Sequence, residues 1–146
     1  MAEITLVRSI NAPIDMVFKT VADIGNFSKA IPGIVKVEFL SEQQSGVGTR
    51  FYETRLMKGK EASTELEVTE YIENEHVRIV SDTHGTVWDT IFTVEPAGES
   101  VKLEMTMDAR AYKLMPKLMN PLVMKMISNA IESDMDSVKH YCETRG

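Results

Sequence analysis

Few side chains in this sequence are both reactive and grouped. Asp89 lies inside an apolar run, Val87-Trp88-Asp89-Thr90-Ile91-Phe92. A carboxylate buried there needs a partner or a raised pKa, the condition under which acid–base groups are tuned. The alternation that turns Trp88 inward sends Asp89 outward, so Asp89 is expected to face solvent. Glu53 and Arg55 stand two residues apart in an extended stretch and share a face, where they can pair with each other. They are expected as an exposed pair, because such charges are seldom buried. His76, His84 and His140 have no spacing suited to a metal, and the single Cys142 belongs to no metal-type pattern. Gly46 and Gly48 read as hairpin glycines. There is no glycine-rich phosphate loop, no Gly-x-Ser-x-Gly elbow and no suggestive Cys–His pairing, so phosphoryl transfer and covalent hydrolysis have no basis. No catalytic residue, metal or cofactor is assigned.

The remaining inventory is apolar and suits binding. Over 100–110, Val101, Leu103, Met105, Met107 and Ala109 fall on one face, opposite Lys102, Glu104, Thr106, Asp108 and Arg110. Over 86–95 both faces carry apolar groups, and the Trp88, Thr90, Phe92 and Val94 face is taken as inward. Trp88 is either a plain core aromatic or, through its one N–H, a group that orients a ligand carbonyl. Of the ten methionines, seven lie after residue 100: Met105, Met107, Met115, Met119, Met124, Met126 and Met135. Methionine fills irregular cores and also tolerates ligands of varied shape.

These residues need elements to position them. Ile4–Ile10 reads as a first strand, closed by Asn11-Ala12-Pro13. Pro13 suits the first turn of a helix, and Ile14, Val17, Phe18, Val21 and Ile24 repeat at helical spacing up to Gly25. A short turn carrying Phe27 and Ile31 follows and ends at Pro32-Gly33. From residue 34 to 110 the apolar period becomes two. Strands are expected over 34–41, 47–57, 61–72, 76–84, 86–95 and 100–110, with turns at Ser45-Gly46, Lys58-Gly59-Lys60, Glu73-Asn74-Glu75, His84-Gly85 and Pro96-Ala97-Gly98. No internal helix is long enough to connect parallel strands, so the sheet is expected to be antiparallel.

Residues 122–144 contain no Pro or Gly, and a closing helix is expected over 117–144, about 40 Å long. Its apolar face is expected to hold Leu122, Val123, Met126, Ile127, Ala130, Ile131, Val138 and Tyr141. Met124, Met135 and Cys142 extend that stripe outward, where a partner or a second copy could sit, so a homodimer is one expected assembly.

With 146 residues, 43% hydrophobic and 26% charged, the chain is of single-domain size and globular composition. The net charge of −6, with acidic and basic residues interspersed, argues against a nucleic-acid partner. No run approaches the roughly 20 apolar residues of a membrane helix, and one cysteine suits a reducing compartment, so no stable membrane insertion and a cytoplasmic address are expected.

The order of elements, together with Ile10-Asn11-Ala12-Pro13 leading into Val17-Phe18, Ala22-Asp23-Ile24-Gly25-Asn26-Phe27, Ile31-Pro32-Gly33-Ile34, Gly46–Glu53, Val68-Thr69-Glu70-Tyr71 and Phe92–Pro96, resembles the START-like (SRPBCC, helix-grip) superfamily, and in it the polyketide cyclase/dehydrase type. The resemblance implies an α+β helix-grip fold over residues 1–146: a curved antiparallel sheet of six or seven strands wrapped around the long C-terminal helix, with two short helices after the first strand. It also implies an apolar cavity between sheet and helix. The expected wall is Trp88, Thr90, Phe92, Leu103, Met105 and Met107, with Tyr112, Met119, Val123 and Met126 at or near the final helix. Tyr112, Met115, Leu118 and Met119, beside Pro116 and Pro121, are placed at the cavity mouth as a gate or as packed plugs. The expected function is binding or carriage of an apolar small molecule that is lipid-, polyketide- or isoprenoid-like. The alternatives are a cyclase or dehydratase acting on such a ligand and a protein-interaction module, since one fold hosts all three. The quinone-binding branch is disfavoured, because no aromatic-proline-aromatic cluster with Cys follows the first helix.

Overall fold

The computed structural model describes residues 2–57, 59–83, 85–111 and 121–145. The elements run β1 (Ala2–Ile10), α1 (Ile14–Ala22), α2 (Ile24–Ala30), β2 (Ile34–Phe39), β3 (Arg50–Met57), β4 (Lys60–Ile72), β5 (His76–Thr83), β6 (Thr86–Ala97), β7 (Ser100–Ala111) and α3 (Pro121–Arg145). All seven strands form one curved antiparallel sheet in the order β1-β7-β6-β5-β4-β3-β2. The helix-grip expectation holds, with seven strands. The part of the expected closing helix over 117–120 lies outside the described residues.

Local chemistry explains the boundaries. Val17, Phe18 and Val21 bury one face of α1, and Asp23, in extended conformation, separates α1 from α2. The expected helix therefore stops at Ala22, two residues early. β3 starts at Arg50 rather than at 47 because Gly46 and Gly48 adopt φ of 84° and 95°, which a strand cannot use. The Gln43 side-chain amide donates to the Val47 carbonyl across that loop at 2.5 Å.

Phe18, Val77, Val94, Leu103, Ile10 and Val138 pack a solid core where α1 and the C-terminal half of α3 meet the sheet. Charged groups on α3 also cover β1, one edge of the sheet. Arg8 Nε donates to Asp136 Oδ1 at 2.7 Å, Lys139 Nζ donates to the Ser9 carbonyl, and Glu143 accepts the Asn11 N–H at 2.9 Å. The opposite edge, β2, is only six residues long and carries a register shift between Ile34 and Lys36.

The apolar stripe of α3 is rotated from its expected centre. Ile131, Met135, Val138 and Cys142 are its buried residues, whereas Leu122 and Met126 are 77% and 40% exposed. Met135 and Cys142, expected on the outer side, point inward instead, Cys142 Sγ lying 3.5 Å from Thr20 Oγ1 of α1. Two of the three residues suggested for a self-association seat are thus core. The physical reason is that the i, i+4, i+7, i+11 series starting at Ile131 meets both α1 and the sheet, while the first turn of the helix extends beyond them.

Asp89 also departs from expectation. It does point to the face opposite Trp88, yet it is buried, because Arg78 and Arg110 lie over it. Arg78 Nη2 and Nε reach its carboxylate at 2.5 and 2.9 Å, and Arg110 Nη2 reaches it at 3.2 Å. The Arg78 hydrogen bonds hold the Asp89 carboxyl below its ordinary range, against the effect of burial. A depressed folded pKa adds stability above the unfolded value, and that stability is lost as pH falls through the folded one. Asp89→Asn is therefore expected to lower stability to urea by about 1–3 kcal/mol at pH 7, with the gap to wild type shrinking below pH ~4. Equal stability at both pH values would contradict this role.

Candidate functional site

Between the sheet and the N-terminal half of α3 lies a cavity of about 520 Å³. Its apolar end is built by Val21, Ala22, Ile24 and Phe27 of the two short helices against Phe92 and Met105 of the sheet. Ile127, Ala130 and Ile131 of α3 form the roof. The register explains why these strands contribute together. Phe92 stands opposite both Val77 and Met105, and Thr90 opposite both Ile79 and Met107, so inward residues of β5, β6 and β7 fall in rows across the sheet.

Of the expected wall, Trp88, Thr90, Phe92, Met105 and Met107 line the cavity. Leu103 does not. It is fully buried two residues beyond Met105, in the solid core that α1 closes. Met126 does not either, because the rotation of the α3 stripe turns it toward solvent. Tyr112 and Met119, and with them the expected gate at Met115 and Leu118, lie outside the described residues, as does His84; of Val123 only the helical backbone is described.

Glu53 and Arg55, expected on the surface, line the cavity, and Asp134 of α3 joins them. Arg55 Nε donates to Glu53 Oε1 at 2.5 Å, and its Nη1 lies 2.9 Å from Asp134 Oδ2 and 3.1 Å from Oδ1. The side chains of Glu53, Asp134 and Arg55 are 12, 20 and 26% exposed. Burial pushes the Asp134 carboxyl up, Arg55 pulls it down without cancelling that, and Glu53 adds to the rise. Burial disfavours the Arg55 charge, but the two carboxylates outweigh it and hold the guanidinium above its ordinary value.

The polar end continues along the sheet. Thr64 is opposite Glu53, and Thr83 is opposite Thr86. The β4–β5 pairing ends at Glu67 and Val80, and Thr64 and Thr83 both lie past that end. Thr64, Ser81, Thr83 and Thr86 all line the cavity. Ser81 and Thr83 bond each other at 2.7 Å, whereas the Thr86 hydroxyl, in a residue only 2% exposed, has no partner among the described residues. The site is thus an apolar chamber with a charged and hydroxylated end.

Residues 1–143 match the family described as polyketide cyclase / dehydrase and lipid transport. The chain belongs to this family. Its fold is shared by a START superfamily protein from Mycobacterium smegmatis, with 15% identity, coverage of 99% of each chain and a TM-score of 0.79. Ara h 8.0201 is similar at 15% identity, 97% coverage of each chain and a TM-score of 0.78. The di-domain ARO/CYC protein BexL from the BE-7585A biosynthetic pathway is similar at 17% identity and a TM-score of 0.76, covering 96% of this chain and 46% of BexL. At such identities the likeness is one of fold. No curated protein matches the sequence.

Within this polyketide cyclase/dehydrase and lipid transport member, sequence signals for the polar end do exist. Phe51, Glu53 and Arg55 alternate on one face, so the burial of Phe51 carries the two charges inward with it. Asp134 sits three residues after Ile131 and four after Ala130, an acid inside an apolar helical stripe. No helix among the described residues is long and apolar enough to cross a membrane.

Proposed function

We propose that the protein binds and carries an apolar small molecule, lipid-, polyketide- or isoprenoid-like, in the chamber between its sheet and α3. The whole chain acts as one ligand-binding domain in the cytoplasm. The observation that supports this most is a cavity of about 520 Å³ with an apolar majority in its wall, a volume that suits a drug-sized ligand. Met105 and Met107 give that wall the adaptability to accept more than one shape. Titration with the neutral apolar dye N-phenyl-1-naphthylamine tests the reading. Saturable fluorescence enhancement at one dye per chain, reversed by a lipid extract, is expected, and the absence of any saturable uptake would overturn it.

A cyclase- or dehydratase-like activity is the second reading, and a specific observation favours it. Glu53 and Asp134 supply carboxylates inside the chamber, and Arg55 supplies a cation beside them, the minimum of a general base with a charge-stabilising donor. Asp89, on the opposite face of the sheet, takes no part in either reading.

A further inference from the structure

We propose that the chamber selects amphipathic ligands whose polar end carries a hydrogen-bond donor, a primary ammonium or a hydroxyl, seated against the Glu53 and Asp134 carboxylates, and discriminates against carboxylate heads. This rests on the reading of the chamber as a binding cavity and names the class of molecule that fills it.

The first argument is a count of donors and acceptors. Two carboxylates offer about eight lone-pair directions. Arg55 is the one residue that bonds them among the described residues, through Nε to Glu53 and Nη1 to Asp134. Acceptors therefore outnumber donors at this end of the chamber, and Glu53 and Asp134, 12% and 20% exposed, keep carboxylate surface for a donor to meet. The second argument is charge. One guanidinium faces two carboxyl groups, and Glu53 adds to the rise that burial imposes on Asp134. An anionic head entering this end meets like charge, while a donor head supplies what is missing. The third argument is independent of the acids. Thr64, Ser81 and Thr83 line the same end of the chamber with hydroxyl-bearing side chains, so a head group there meets polar rather than apolar neighbours. With Phe92, Met105 and Phe27 at the other end, the chamber orients a ligand with its chain toward the short helices and its head toward Glu53 and Asp134.

Displacement of N-phenyl-1-naphthylamine from the full chain at pH 7.5 by decylamine, 1-decanol and decanoate tests this, since the three share one chain length. Decylamine and 1-decanol are expected to displace the dye at concentrations at least tenfold lower than decanoate. In the Glu53→Gln/Asp134→Asn double variant Arg55 is left without anions, and decanoate is expected to gain at least tenfold relative to decylamine. Each single variant, checked for folding by circular dichroism, is expected to shift the ratio in the same direction. Three equal displacement curves, or decanoate binding tightest to the wild type, would overturn the head-group assignment while leaving the cavity reading intact. Failure of the dye and of all three chains to bind would overturn the cavity reading itself, and this one with it.

Discussion

Replacing Met107 with aspartate is expected to weaken uptake of N-phenyl-1-naphthylamine by at least about 100-fold, equivalent to about 2.7 kcal/mol. Met107 stands in the middle of β7, opposite Thr90 and Ile4, and its side chain forms part of the chamber wall. A carboxylate there either stays charged and draws water into the chamber, or takes up a proton and still presents a polar group to an apolar ligand. Because Met107 is only partly buried whereas Met105 is 3% exposed, it is the safer of the two methionines for a variant that must still fold. Ala130→Phe on the roof reaches the same end by bulk: the ring occupies the space without adding charge. Both variants are expected to keep the far-ultraviolet circular dichroism of the wild type. Undiminished dye binding in both would place the dye elsewhere on the protein.

Arg55→Met is expected to cost about 3 kcal/mol of stability at pH 7, measured by urea unfolding. The change removes the cation and leaves Glu53 and Asp134 facing each other in the chamber wall. The Asp134 carboxyl, which burial already pushes above its ordinary value, loses the cation that pulls it down. The penalty is fully present above the folded value and vanishes as pH falls through the unfolded value of ~4, so the deficit against wild type narrows on acidification. A variant in which all three charges are removed, Glu53→Leu/Arg55→Met/Asp134→Leu, is expected to be about as stable as wild type or somewhat more so, because apolar groups of similar volume replace a buried ion pair at little cost. That contrast bears on function. If the three charges contribute nothing net to folding, their presence in an otherwise apolar chamber is explained by what enters it. Identical unfolding midpoints for wild type and Arg55→Met across pH 4–8 would mean that solvent reaches the group and that the chamber is not closed around it.

Much of the fold is legible in the residues because strand alternation and turn chemistry are local signals. Each expected strand of the meander lies within three residues of its observed bounds, the largest difference being the start of β3, where two glycines delay it. β6 carries apolar residues on both faces, and the one expected inward supplies Trp88, Thr90 and Phe92 to the chamber wall. The side chains that escape such reading are those whose surroundings are set by another element. Nothing within β6 indicates that Arg78 from β5 and Arg110 from β7 will cover Asp89. Arg55 finds Asp134 across 79 positions of chain, a contact that no spacing within either segment reveals. The centre of the α3 stripe depends in the same way on α1, which decides that Met135 and Cys142 point inward and Met126 outward.

The final helix does two jobs at once. It roofs the chamber, and through Arg8, Ser9 and Asn11 it covers the β1 edge of an open sheet. An uncovered edge strand is a template for pairing with another chain, and the other edge of this sheet is already blunted by its shortness and its register shift. Detachment of α3 therefore bares an apolar hollow and a backbone edge together, the combination from which intermolecular sheets and aggregates grow. Were α3 to lift and empty the chamber, the same movement would bare both surfaces, so a ligand that held the roof down would also protect against aggregation.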